Sequence, residues 1–152
     1  MSDERIKKCF ECGARAVRKT AKPGRIAKFR SMELEVPATL EIPTCAECGT
    51  EWYDGPTTTA LETALEALYQ KRLKERLNLF LDQILGKGIS QAVLERSLGV
   101  SMGYISKLKR EERNPGSELV VALGLVATDP EKMIEKAAGI LGPEKQKERR
   151  HA

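Results

Sequence analysis

The chain has 152 residues, 41% of them hydrophobic, with 12 Gly and 7 Pro. That is enough for one domain or two small ones and too apolar for a disordered chain. No apolar run approaches the roughly 18 residues that would span a bilayer. The single His, His151, lies in a tail expected to be mobile, so His-dependent catalysis has almost no material and no enzyme is expected. The net charge of +4 is unevenly spread. Met1–Arg30 holds 10 basic and 3 acidic residues, Ser31–Gln70 holds 8 acidic and no basic ones, and Lys71–Arg113 returns to 10 basic against 5 acidic. Two basic blocks around an acidic one suggest one surface for nucleic acid and another for a different partner.

All 4 cysteines fall in two near-identical segments, Cys9-Phe10-Glu11-Cys12-Gly13 and Cys45-Ala46-Glu47-Cys48-Gly49. Each is a C-x-x-C-G knuckle, a tight turn that aims two thiolates at one point. The Gly after the second Cys accepts φ > 0 and lets backbone N–H groups turn toward the sulfurs. Two knuckles supply the four soft ligands of a tetrahedral ion. The expectation is one structural Zn²⁺ held by Cys9, Cys12, Cys45 and Cys48, with no open position for substrate. Iron could occupy the same thiolates, and a redox C-x-x-C or a pair of disulfides are the other readings. Met1–Thr20 is charged and lacks the apolar core of a signal peptide, so a cytoplasmic protein is expected, where ligation is commoner than bridging. The 32 residues between Cys12 and Cys45 exceed the usual ribbon spacing of roughly 15–20.

Between the knuckles, Met32, Leu34 and Val36 alternate with polar residues, and Ala38, Leu40 and Ile42 do so after Pro37. This period predicts two half-buried strands divided by the proline, and Arg25–Arg30 suggests a further short one. Asp54-Gly55-Pro56 is then a turn at a helix start, with three threonines able to cap it. Leu61, Leu65, Leu68, Leu73, Leu77, Phe80, Leu81 and Ile84 recur mostly at gaps of three and four, which predicts an unusually long amphipathic helix, continuous or hinged near Gln70–Lys74.

Gly86-Lys87-Gly88 ends that helix. Ser90 can cap a short helix through Leu98, Gly99-Val100-Ser101 makes a tight turn, and Ser101 can cap another helix through about Arg110. Helix, short Gly-containing turn and a second helix ending in Lys and Arg form the helix-turn-helix pattern. Leu94, Leu98, Val100, Ile105 and Leu108 would pack the pair. Met102, Gly103, Tyr104, Ser106, Lys107 and Arg110 would face outward. Short or polar groups at the entering end can approach base edges in the major groove while cations meet phosphates. Gln91, Lys109, Arg110 and Arg113 are the expected phosphate contacts, and Ser101, Tyr104 and Lys107 the expected readers. After Asn114-Pro115-Gly116, Ser117 can cap a helix bearing Leu119, Val120, Leu123 and Val126. Asp129-Pro130 opens a last one, which Gly142-Pro143 stops.

The set Ile89-Ser90-Gln91, Leu94, Gly99-Val100-Ser101, Ile105-Ser106-Lys107 and Asn114-Pro115 resembles the Cro/C1-type (XRE) helix-turn-helix. Preceded by the two knuckles, the chain from Cys9 to Ala138 resembles the MqsA-type antitoxins with their YgiT-type zinc finger. The resemblance implies an N-terminal zinc module that binds and neutralises a protein toxin, often an mRNA interferase. It also implies a homodimer that represses its own operon at a palindrome in double-stranded DNA. Cys9, Cys12, Cys45 and Cys48 match the family's zinc ligands. Lys107 falls where the family has a base-reading Arg and Gly103 where an Asn is expected, so the operator sequence should differ. Glu95 replaces a small residue in the second helix of such motifs. The acidic Ser31–Gln70 segment is the expected contact for a basic toxin. The expected fold is α+β: a small zinc ribbon with short antiparallel strands over 1–56, a connecting helix over 57–76, a helix-turn-helix domain over 77–141 and a disordered tail over 142–152. A stand-alone regulator without a toxin is the alternative reading.

Overall fold

The computed structural model describes residues 8–142, and over them the fold is α+β, with four short strands in two antiparallel pairs followed by five helices. His151 and the expected tail from residue 143 onward lie outside the described residues. The chain divides into two compact units, Met1–Tyr69 and Gln70–Ala152, each with its own core.

In the first unit, β1 (Val17–Thr20) pairs with β4 (Ile42–Cys45), and β2 (Ile26–Phe29) pairs with β3 (Met32–Glu35). The expected strand after Arg25 is β2, and Met32, Leu34 and Val36 open as β3. The alternation of Ala38 and Leu40 does not make a strand. Pro37 cannot donate to a ladder, and its carbonyl takes the Leu40 N–H at 2.9 Å in a turn, so pairing resumes only at Ile42. The hairpin between β2 and β3 turns on Arg30 at φ 52°, a left-handed conformation that few side chains accept. Its guanidinium lies over the rings of Phe29 and Tyr69 and bonds Glu66 at 2.8 Å, contacts that hold the turn in place.

The apolar residues buried here are few: Cys9, Val17, Leu34, Val36, Ile42, Cys45, Leu65 and Tyr69. Beside them sits a buried guanidinium. Arg25 donates to Glu51 Oε1 from Nε at 3.1 Å and from an η-nitrogen at 2.9 Å, and to the carbonyls of Thr20 and Leu40. Lys22 reaches the same carboxylate oxygen at 2.8 Å.

The long helix is α1 (Gly55–Leu85), 31 residues without interruption. Its cap is Asp54 rather than any of the three threonines: Asp54 Oδ1 accepts the Thr57 N–H at 2.9 Å. Thr59 and Thr63 already lie inside the helix, where their hydroxyls donate back to the carbonyls of Gly55 and Thr59. Leu65 and Tyr69 are buried in the first unit, and Leu73, Leu77, Leu81 and Ile84 in the second. Gly88, at φ 85°, takes the helix out through a Leu85 carbonyl bond.

The second unit adds α2 (Gln91–Ser97), α3 (Tyr104–Lys109), α4 (Ser117–Thr128) and α5 (Pro130–Leu141). Ser90 caps α2 through Val93 N–H, and Asp129 caps α5 through Lys132 N–H. Two expected caps are not made. Gly116, extended at φ −75° and ψ 149°, holds the cap position of α4, so Ser117 becomes its first residue. Ser101 lies too far upstream to cap α3, which starts at Tyr104 after a left-handed Gly103; only the Ser101 carbonyl takes part, accepting the Tyr104 N–H at 3.0 Å. α2 packs on α3 and α5, and α5 on α4, around Leu94, Ile105, Leu108, Val120, Leu123 and Val126.

Candidate metal centre and candidate nucleic-acid interface

The two knuckles are built alike. Cys9 N–H donates to the Ala14 carbonyl and Gly13 N–H returns to Cys9, with Gly13 at φ 73°. Cys45 N–H donates to the Thr50 carbonyl and Gly49 N–H returns to Cys45, with Gly49 at φ 75°. Both turns need a residue that takes positive φ freely, which is why Gly follows each second Cys. Pairing of β1 with β4 sets Val17 opposite Cys45, and the Ala46 N–H donates to the Ala16 carbonyl at 2.9 Å. β1 is therefore the element that brings the knuckles together, and it carries no clear period in the sequence.

The result is one cluster. The sulfurs of Cys9, Cys12, Cys45 and Cys48 all lie within 4.8 Å of one another. Cys9 Sγ is 3.6 Å from Cys48 Sγ, and Cys12 Sγ is 3.6 Å from Cys45 Sγ. Four sulfurs at about 2.3 Å from a central ion stand about 3.8 Å apart in a tetrahedron, close to the two 3.6 Å spacings, so the cluster could hold one metal ion. The same spacing is far beyond a disulfide of about 2.05 Å, and all four cysteines are free. Cys9 and Cys45 are buried with Val17, under Ala14, Ala16 and Trp52, whereas Cys12 and Cys48 are exposed.

The two exposed thiols, Cys48 and Cys12, are shifted in opposite directions. The Thr50 hydroxyl and then its amide draw Cys48 down to about 6. For Cys12, hydrogen bonding from the Ala14 amide acts downward, but loss of hydration and the sulfurs of Cys48, Cys45 and Cys9 push it up to about 12. A cation at the centre would replace these protons with four thiolate bonds, as the donor set requires.

The residues singled out for nucleic acid all lie in or beside α2 and α3. Ser101 and Met102 are exposed, Met102 by 66%, but they stand in the turn before α3 rather than in its first turn. Gly103 is the cap position, Tyr104 is half-buried at the helix start, and Lys107 and Lys109 are exposed. Arg110 is exposed and bonds Glu112 at 3.1 Å. Arg113 is exposed and, with Ser101 and Tyr104, borders a shallow groove of about 360 Å³. Gln91 and Ser106 are turned toward each other, Gln91 Nε2 donating to Ser106 Oγ at 2.7 Å.

Glu95 is the residue that sequence reasoning treated only as a departure. It is 1% exposed, and its carboxylate accepts the Gly103 N–H and the Ile105 N–H, each at 2.9 Å. Burial alone would raise its pKa. The two amides and Gln91 more than offset that and hold it below the ordinary value. The available signal was an acidic residue directly after Leu94 on the inward side of α2, a placement that demands buried donors.

No helix among the described residues is long and apolar enough to cross a membrane. This chain matches no family model and no curated protein.

Proposed function

We propose that this protein is a zinc-stabilised, sequence-specific DNA-binding repressor of the helix-turn-helix type, and an antitoxin of the MqsA type. The observation that carries the reading is the packing of α2 against α3 through buried Leu94, Ile105 and Leu108, with Met102, Lys107, Lys109 and Arg110 left exposed along one short helix and its entry. That is the shape a major-groove reader needs: a short helix supported from behind, reactive to base edges at its start and cationic toward its end. Tyr104 and Lys107 are its readers, while Lys109, Arg110 and Arg113 meet phosphates. The four-cysteine cluster takes one structural Zn²⁺, consistent with sulfur spacings of 3.6 Å.

The palindromic operator requires a homodimer. Exposed Val121 and Leu125, one turn apart on α4, are an apolar pair that a second copy would cover. The toxin partner, mRNA interferase-like, rests on the order of knuckles and helix-turn-helix and on the acidic Ser31–Gln70 stretch. Two experiments test the reading. The metal-loaded full chain should enrich a two-fold symmetric duplex from a random library, and Lys107→Ala should reduce its preference over random DNA by about 1–3 kcal/mol. No enrichment would sink the DNA reading, and unchanged preference would remove Lys107 from the readers. Co-purification with the product of the adjacent gene tests the toxin partner, and a chain that purifies alone would count against it.

A further inference from the structure

α3 is a helix of six residues whose cap position is Gly103, which has no side chain to offer. Its leading amides are satisfied from another helix. Glu95 Oε2 accepts the Gly103 N–H and Glu95 Oε1 accepts the Ile105 N–H, so the carboxylate grips the backbone on both sides of Tyr104. Gln91, one turn earlier on α2, donates from Nε2 to Glu95 Oε1 at 3.2 Å and to Ser106 Oγ at 2.7 Å. The three side chains form a hydrogen-bonded bracket from α2 to consecutive residues of α3.

Such a bracket does more than hold two helices in contact. The apolar contacts of Leu94, Ile105 and Leu108 are non-directional and would tolerate a small rotation or slide of α3. Charge-assisted bonds from a fixed carboxylate to two amides have definite lengths and directions. A buried, fully satisfied polar group of this kind selects one arrangement among several that pack equally well. The negative charge also complements the positive end of the short helix.

We infer that Glu95 is a positioning residue that fixes the orientation of the reading face of α3, with Gln91 as its link to Ser106. Gln91 and Ser106 then serve the bracket rather than a phosphate or a base. The inference rests on the DNA-binding reading above and deepens it: specificity at Tyr104 and Lys107 depends on a residue that touches no DNA.

The test uses the full metal-loaded chain, the duplex that the wild-type protein selects from a random library, and a scrambled duplex of equal length. Glu95→Gln keeps the size of the side chain but presents an N–H₂ to one of the two amides. It should retain its helical circular dichroism, its affinity for the scrambled duplex and its salt dependence, because the phosphate-facing cations are untouched. Its preference for the selected duplex should fall about ten- to hundredfold, and amide exchange at Gly103 and Ile105 should accelerate. A merely structural role would weaken both duplexes together, and that result overturns the inference. So does an unchanged preference in Glu95→Gln. A wild-type protein that selects no duplex overturns the DNA reading itself, and this inference with it. Where Glu95→Gln does not fold, Glu95→Asp, with the charge kept and one methylene fewer, is read by the same ratio.

Discussion

Arg25 illustrates what a single side chain must do in a unit with so small an apolar core. At 8% exposure it is nearly withdrawn from water, yet all three nitrogens of its guanidinium donate to an acceptor: the carboxylate of Glu51 and the carbonyls of Thr20 and Leu40. These bonds tie the end of β1, the start of β2 and the segment before β4 to one point. Removing the guanidinium leaves two carbonyls and most of a carboxylate unmatched, so Arg25→Ala should destabilise the unit by about 2–3 kcal/mol. A loss below about 1 kcal/mol in denaturant titration would class the pair with ordinary surface ion pairs. The pairing also has a pH signature. The Arg25 guanidinium, followed by Lys22, holds the Glu51 carboxyl below its ordinary 4.5. Its folded pKa is therefore lower than its unfolded one. The stability it contributes is present above about 4.5 and is lost as pH falls through the lowered value. Arg25→Ala should flatten the stability curve in that acidic window, and an unchanged curve would show that Lys22 alone sets the shift.

Individual elements show which signals in the chain were legible. The long helix could be read because the leucine spacing repeats often enough to define a face, and Gly88 marks its end. Its capping residue is less legible, since four hydroxyl or carboxyl side chains compete for one cap and only geometry decides for Asp54. Asp54→Ala should therefore cost about 1 kcal/mol of stability, while Asp54→Asn keeps the acceptor and costs only a few tenths. Equal losses from both, in thermal denaturation, would mean that the cap is not the reason for the aspartate. The knuckle turns and the gathering of their four cysteines were legible, because C-x-x-C-G dictates its own turn. β1 was not, since four residues with one buried side chain, Val17, give no period to detect. The same holds for α3. Ser101 matched a capping pattern, but the acceptor for its amides came from Glu95 on α2, a long-range bond that no local pattern encodes.

At the scale of the whole molecule, the two units differ in what holds them. The second buries a run of leucines and isoleucines from α1 onward, with Leu81, Ile84, Leu94, Ile105 and Leu123 fully enclosed, a helical core of the kind that apolar burial stabilises. The first has four-residue strands in two-stranded pairs, and two-stranded sheets are marginal in water by themselves. Two of its few buried residues are Cys9 and Cys45, which belong to the four-cysteine cluster that could hold an ion. The proposed zinc would thus contribute much of that unit's folding free energy, on the order of 10 kcal/mol for a site of this kind. Chelation by a strong zinc ligand should abolish the strand signal and shift the emission of Trp52, which packs against the cluster, while leaving the helical signal of α2 to α5 in place. Metal analysis should find one ion per chain. Uptake should release protons, because thiols must ionise to bind, and affinity should fall as pH is lowered. Retention of the Trp52 emission after complete metal removal would mean that the first unit folds without its ion, and that the four cysteines serve some purpose other than structure.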